Sequence, residues 1–154
     1  CYKKLKNKLP KFIKTYPIDK IELTRAVLAN KNNLKKIISV VHPLVRKKMF
    51  NFLKQNSKKK LVVLDIPLLL ENNLNKKKYI LIFVDSKKTE INKHLKKRKN
   101  YNRKVMENLR KLQKPISYKK KLSTYIIKNN FKLSTVKKRV KFIKNKILNE
   151  RNSS

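Results

Sequence analysis

The chain has 154 residues, 40% of them hydrophobic, and a formal net charge of +37 from 45 lysines and arginines against 8 acids. That length supports one domain with a core of its own, the single cysteine excludes an internal disulfide framework and fits a reducing, cytoplasmic compartment, and no apolar run approaches the roughly twenty residues of a membrane span. Lysine, asparagine and isoleucine are abundant while glycine and tryptophan are absent. AT-biased coding produces that pattern in any protein, so the charge reads first as compositional drift, with a basic module for non-specific binding of nucleic acid or another polyanion as the alternative. The usual companions of specific nucleic-acid recognition, zinc-ligand spacing, an RRM-type aromatic motif or a KH loop, are missing from the sequence.

From the amino terminus, Leu5, Leu9, Phe12 and Ile13 are spaced for a short amphipathic helix that Pro10 interrupts. Asp19-Lys20-Ile21-Glu22 has the form of a capping box, which predicts a helix from Lys20 to about Ala29. Leu34, Ile37, Ile38 and Val41 recur at helical spacing. A residue before proline is pushed out of the helical region, so His42 is expected at a break, with Pro43 opening a second helix through Val45, Met49, Phe52 and Leu53. Next comes the longest interruption of the lysine background. Leu61 to Ile66 reads as a strand buried on both faces, ended by Pro67, and Tyr79 to Asp85 repeats that pattern, each with an aspartate near its carboxyl end.

Asp85 or Ser86 is placed to cap a helix carrying Ile91, Leu95 and Arg98, in which His94 and Arg98 form an i,i+4 pair. Asn102 to Leu112 continues as a helix that stops before Pro115. Thr124 to Ile127 reads as a short strand, Asn129-Asn130 as a turn in which asparagine tolerates a left-handed conformation, and Ser134 as the cap of a last helix through Val136, Val140, Ile143 and Ile147. Arg151 to Ser154 is expected to fray. No internal repeat and no dividing linker interrupts the chain.

Pro67-Leu68-Leu69-Leu70-Glu71 resembles the PLL-x-E motif of the dephospho-coenzyme A kinases. His42-Pro43-Leu44-Val45-Arg46 is similar to that family's HP-x-VR motif, and Ile18-Asp19-Lys20 with Leu23 to its (I/L)-D-R-x-x-L segment with lysine for arginine. Downstream, Val84-Asp85 resembles the opening of its lid segment, Gln113 falls where the family has a glutamine, and Ile126-Ile127-Lys128-Asn129-Asn130 resembles its V-I-D-N-N ending. Each motif is weak alone, and the ordered series is specific.

The resemblance implies an α/β P-loop kinase in which a parallel sheet is flanked by helices. It divides residues 1–154, a single partial domain, into a helical substrate region over 17–57, core strands over 61–84, a lid over 93–121, and a last strand with the carboxyl-terminal helix over 122–150. The implied reaction transfers the ATP γ-phosphate to the 3′-hydroxyl of dephospho-coenzyme A with Mg²⁺, the last step of coenzyme A biosynthesis. Carried over by position, His94, Arg98 and Asn129 fall on the nucleotide side, and His42, Arg46, Pro67, Leu68, Leu69 and Glu71 on the side of the coenzyme A precursor. The family has an arginine where His94 stands, so phosphate stabilisation there depends on a raised histidine pKa. Asp65 is the candidate for Mg²⁺.

For several residues the sequence alone leaves a plainer reading open: His42 as a corner imidazole bonded to backbone, His94 and Arg98 as a solvated basic face, Asn129 as a turn residue, and Asp85 as a helix cap. The family's phosphate loop, G-x-x-x-x-G-K-[ST], needs glycine for close backbone approach, and this sequence has none. The family's catalytic base lies in an aspartate-rich segment after that loop, so no catalytic residue is assigned here. The expectation is an amino-terminally truncated piece, lacking the P-loop strand and inactive alone.

Overall fold

The computed structural model describes residues 1–76 and 79–152. Along them run α1 (Tyr2–Lys8), α2 (Lys20–Ala29), α3 (Lys31–Gln55), β1 (Ile82–Asp85), α4 (Lys88–Lys96), α5 (Arg103–Arg110), α6 (Ile116–Leu122), β2 (Tyr125–Lys128) and α7 (Leu133–Asn152). They form two compact units, one of residues 1–64 with 102–109, the other of the described residues among 65–101 and 110–154. None of the described helices is long and apolar enough to cross a membrane.

In the first unit the apolar spacing near the amino terminus becomes a core. Leu5, Leu9 and Ile13 bury against Ala26 of α2 and Val40 of α3, with Phe12, Leu23, Ile37 and Leu44 packed around them. Ile13 is fully buried, worth about 1.5 to 3 kcal/mol relative to exposure. The start of α2 falls at Lys20 as its cap predicts, and the Asp19 side chain accepts the Ile21 N–H. The box is completed differently. Glu22 accepts the N–H groups of Lys14 and Thr15, both at 3.1 Å, while the Asp19 N–H donates to Thr15 Oγ1, because the preceding loop folds back over the first turn.

The break expected at His42 does not occur: α3 runs unbroken through Pro43. Its core contacts straddle the proline, with Ile37 and Val40 on one side and Leu44 on the other, so burial on a common axis outweighs the missing hydrogen bond. Asn56 ends the helix, its Nδ2 donating to the Phe52 carbonyl at 2.8 Å.

The expected strand over 61–66 is also corrected. The backbone there forms no ladder, and half-buried Val62, Leu64 and Ile66 alternate with exposed Leu61, Val63 and Asp65. A strand needs a partner, and the described residues supply none for this segment: the sheet consists of β1 and β2 alone.

Those two strands pair in parallel, Ile82 with Tyr125 through Asp85 with Lys128, and Leu81 extends the contact by accepting the Thr124 N–H at 2.8 Å. The ladder covers only the end of the expected 79–85 strand. Nor is it buried on both faces, since Val84 is 55% exposed. Ile127 of β2 and Ile143 of α7 are buried. The cap of α4 is Lys87, without a side-chain bond, rather than Asp85 or Ser86, because Asp85 is taken by a lysine. Arg98 lies in the turn after α4. The sequence reading missed α6, for which Pro115 stands at the cap position. The last helix begins at Leu133, so Ser134 lies inside it; Asn130 Oδ1 accepts the Lys132 N–H just before. Arg151 and Asn152 continue that helix, whereas 153 and 154 lie outside the described residues.

Candidate functional site

In the second unit, Pro67 opens a chain of tight turns rather than closing a strand. Leu68 sits in the left-handed region at φ 57°, a conformation costing a residue with a Cβ roughly 1 to 2 kcal/mol. Its carbonyl repays part of that by accepting both the Asn72 N–H at 3.1 Å and the Asn72 Nδ2 at 2.7 Å. The Leu74 N–H closes on the Leu69 carbonyl at 3.0 Å. Glu71 is thereby held with its side chain only 10% exposed, its Oε1 2.8 Å from Lys119 Nζ. The same oxygen accepts the Lys114 N–H at 2.8 Å. Burial pushes the Glu71 carboxyl up, but the bonds from Lys119 and from the Lys114 and Glu71 backbone, with the Lys119 charge, outweigh it and hold the group below its ordinary value. Gln113 Oε1 lies 3.4 Å from the same ammonium.

At the carboxyl end of β1, where open α/β sheets place their ligands, Asp85 Oδ2 meets Lys120 Nζ at 2.6 Å. Its carbonyl accepts the Asn129 N–H at 2.7 Å. Asn129 Oδ1 in turn accepts the Phe131 N–H at 2.8 Å. It is Phe131, not either asparagine, that takes the left-handed conformation, at φ 61°. Its ring stacks on His94 with centroids 4.0 Å apart and planes 19° apart. His94 and Asn129 are thus brought to one corner through Phe131, which sequence reasoning did not single out. The available signal was a turn after Asn-Asn in a chain with no glycine to take the positive φ.

Arg98 is exposed beyond this corner. Asp65 is exposed and has no ion-pair partner among the described residues. The described residues hold no group of three or more metal-ligating side chains. A Mg²⁺ ion typically needs only one or two carboxylates when substrate phosphates and water complete its shell; Glu71 and Asp85 are engaged by lysines, which leaves Asp65 as the carboxylate of these three without an ion pair among the described residues. A hollow along α7 lined by Ser134, Thr135, Lys138, Arg139 and Phe142 contains none of the candidate residues.

In the first unit, half-buried His42 and exposed Arg46 stand one turn apart on α3. His42 has no hydrogen-bond partner among the described residues, so the corner imidazole bonded to backbone is not what the fold contains. Lys119 and Lys120 were the other residues sequence reading missed. With 45 basic residues, nothing local marks these two.

Comparison with known proteins adds an independent finding. The family model described as dephospho-CoA kinase matches residues 4–135. A dephospho-CoA kinase of Fusobacterium nucleatum is 30% identical over 127 residues, covering 80% of this chain and 63% of the relative. That of Lactobacillus acidophilus is 30% identical over 115 residues, 73% of this chain and 57% of the relative. That of Streptococcus agalactiae is 31% identical over 133 residues, with 80% and 64% covered. The chain spans a little under two thirds of the length of these curated relatives.

Proposed function

The chain belongs to the dephospho-CoA kinase family, and we propose that the protein carrying it transfers the γ-phosphate of ATP to the ribose 3′-hydroxyl of dephospho-coenzyme A. The observation that supports this most is the corner at the carboxyl end of β1. There Asn129 is bonded to Asp85, and His94 is stacked on the residue that Asn129 holds. Phosphoryl transfer depends on positioning and charge neutralisation more than on covalent help from the protein.

His94, Arg98 and Asn129 receive the nucleotide. In the first unit His42 and Arg46 on α3 serve the acceptor, arginine's planar donor fork suiting a phosphate of the precursor; in the second unit the acceptor-side residues are Pro67, Leu68, Leu69 and Glu71 of the turn. Mg²⁺, with Asp65 as its protein ligand, neutralises phosphate charge when bound. Residues 93–121 act as the lid that excludes water, within a P-loop kinase domain that also comprises 17–57, 61–84 and 122–150. Residues 1–154 contain no glycine and hence no glycine-rich phosphate cradle, so by themselves they do not turn over ATP.

The test is ADP release by the full-length protein. Release that requires dephospho-coenzyme A and yields coenzyme A supports the assignment; release indifferent to it, and driven by another hydroxyl acceptor, overturns it.

A further inference from the structure

Two consecutive lysines of α6 reach two different acids. Lys119 pairs with Glu71 in the turn after Pro67, at 2.8 Å, and the side chains are only 19% and 10% exposed. Lys120 pairs with Asp85 at the end of β1, at 2.6 Å. Neighbours on a helix point about 100° apart, so one short helix is fastened at two separate points. Each point leads to a different set of proposed ligand groups. Glu71 lies in the run of turns that contains Pro67, Leu68 and Leu69, and ties it outward by also accepting the Lys114 N–H just before Pro115. Asp85 passes through its carbonyl to Asn129, and from there through Phe131 to His94.

We propose that Lys119 and Lys120 are separate positioning residues for the two substrates, Lys119 setting the acceptor side through Glu71 and Lys120 setting the nucleotide side through Asp85. This rests on the kinase reading above. Neither lysine touches substrate: each acts through its carboxylate, and Glu71, saturated by an ammonium and an amide, holds the turn in place. α6 is then a fixed stem at the carboxyl end of the lid region, and a change at one lysine is felt by one substrate.

The experiment is steady-state kinetics on the full-length protein, varying ATP and dephospho-coenzyme A separately. Lys119→Met raises KM for dephospho-coenzyme A about tenfold and leaves KM for ATP within about twofold, and Lys120→Met does the reverse. Lys119→Arg, which keeps the charge, recovers most of the loss. A helix that merely loosened would move both KM values together in both variants, and that result, or no change in either, overturns the proposal.

Amide hydrogen exchange at Lys114 gives a readout independent of activity. Its protection falls in Lys119→Met and in Glu71→Ala while Lys120→Met leaves it unchanged; equal protection in all three sinks the Lys119 arm. Absence of any dephospho-coenzyme A-dependent turnover in the parent protein would refute the kinase reading instead, and the exchange pattern would still decide whether Lys119 holds Glu71.

Discussion

Pro43 inside α3 offers a direct measurement of what the first unit tolerates. Proline in a helix interior costs about 3 kcal/mol relative to alanine, through the lost N–H and the clash of its ring with the carbonyl four residues earlier. That carbonyl belongs to Ser39, an exposed residue, so water can satisfy it and the cost is below the full figure. Pro43 is itself exposed, and Pro43→Ala therefore removes no packing. Alanine gives back about 0.4 to 1 kcal/mol by freeing the unfolded chain. The balance is a stabilisation of about 1 to 2 kcal/mol, or about 3 to 6 °C in Tm for a chain of this size. Thermal unfolding followed by far-UV circular dichroism reads it. An unchanged or lower Tm would refute the reasoning, because it would mean that the helix is interrupted at His42 in solution and the proline carries no helical cost.

Asn33 is buried and donates through Nδ2 to the Ala26 carbonyl in the last turn of α2 at 2.9 Å; Asn33→Ala lowers stability by about 1 to 3 kcal/mol, seen as a lower denaturant midpoint at unchanged m. Glu71 sits below its ordinary value of 4.5, so its contribution is present above that pH and lost as pH falls through the folded value. Melting curves of the parent and Glu71→Gln accordingly differ at neutral pH and converge in acid; a gap that stays constant with pH would contradict the shift. With a net charge of +37, any binding to DNA or RNA falls steeply between about 50 and 200 mM salt and depends little on sequence. A preferred sequence held tightly at the higher salt, in a gel-shift or fluorescence titration, would favour a selected nucleic-acid role. Purified residues 1–154 release no ADP from ATP, and measurable turnover in a coupled assay would place a phosphate site among residues that lack glycine.

What could be read from the sequence was mostly what is local. The start of α2 was legible because a cap is decided within three residues, and Asp19 does bond the Ile21 N–H. The apolar spacing of Leu5, Leu9 and Ile13 gave their burial, since two successive turns, closed by the Leu9 N–H on the Leu5 carbonyl and the Ile13 N–H on the Leu9 carbonyl, bring them to one face. Where a non-local partner decides the outcome, reading failed. Leu61 to Ile66 has strand composition, yet no described strand lies beside it to complete a ladder. The continuity of α3 depends on Val40 and Leu44 meeting residues far away in sequence, against the local preference set by Pro43. Lys119 and Lys120 were illegible for a statistical reason with a physical root: in so basic a chain almost every lysine is a solvated cation, and only the fold reveals which ones are drawn to a half-buried acid. α6 carried only a weak local signal, since Pro115 stands at the cap position rather than at the first helical one and is followed by Ile116, Ser117 and Tyr118, middling helix formers.

The absence of glycine bears on the site in a way that separates its two halves. Leu68, Asn73 and Phe131 all have positive φ, and only asparagine among these types tolerates that conformation readily. The two costly positions are each held by a neighbouring asparagine side chain. Asn72 donates to the Leu68 carbonyl, and Asn129 accepts the Phe131 N–H. For Phe131 the His94 stack adds about 0.5 to 1.5 kcal/mol, comparable with the roughly 1 to 2 kcal/mol of backbone strain, so the ring is fixed rather than merely tolerated. Leu68 has no such stack, and its turn is secured instead from outside by the Lys119 and Lys114 bonds to Glu71. The corner at the end of β1 is therefore stiffened by its own aromatic pair, whereas the turn after Pro67 borrows its rigidity from α6 and Lys114, which is why, on the proposed reading, loss of Lys119 should be felt most by the acceptor.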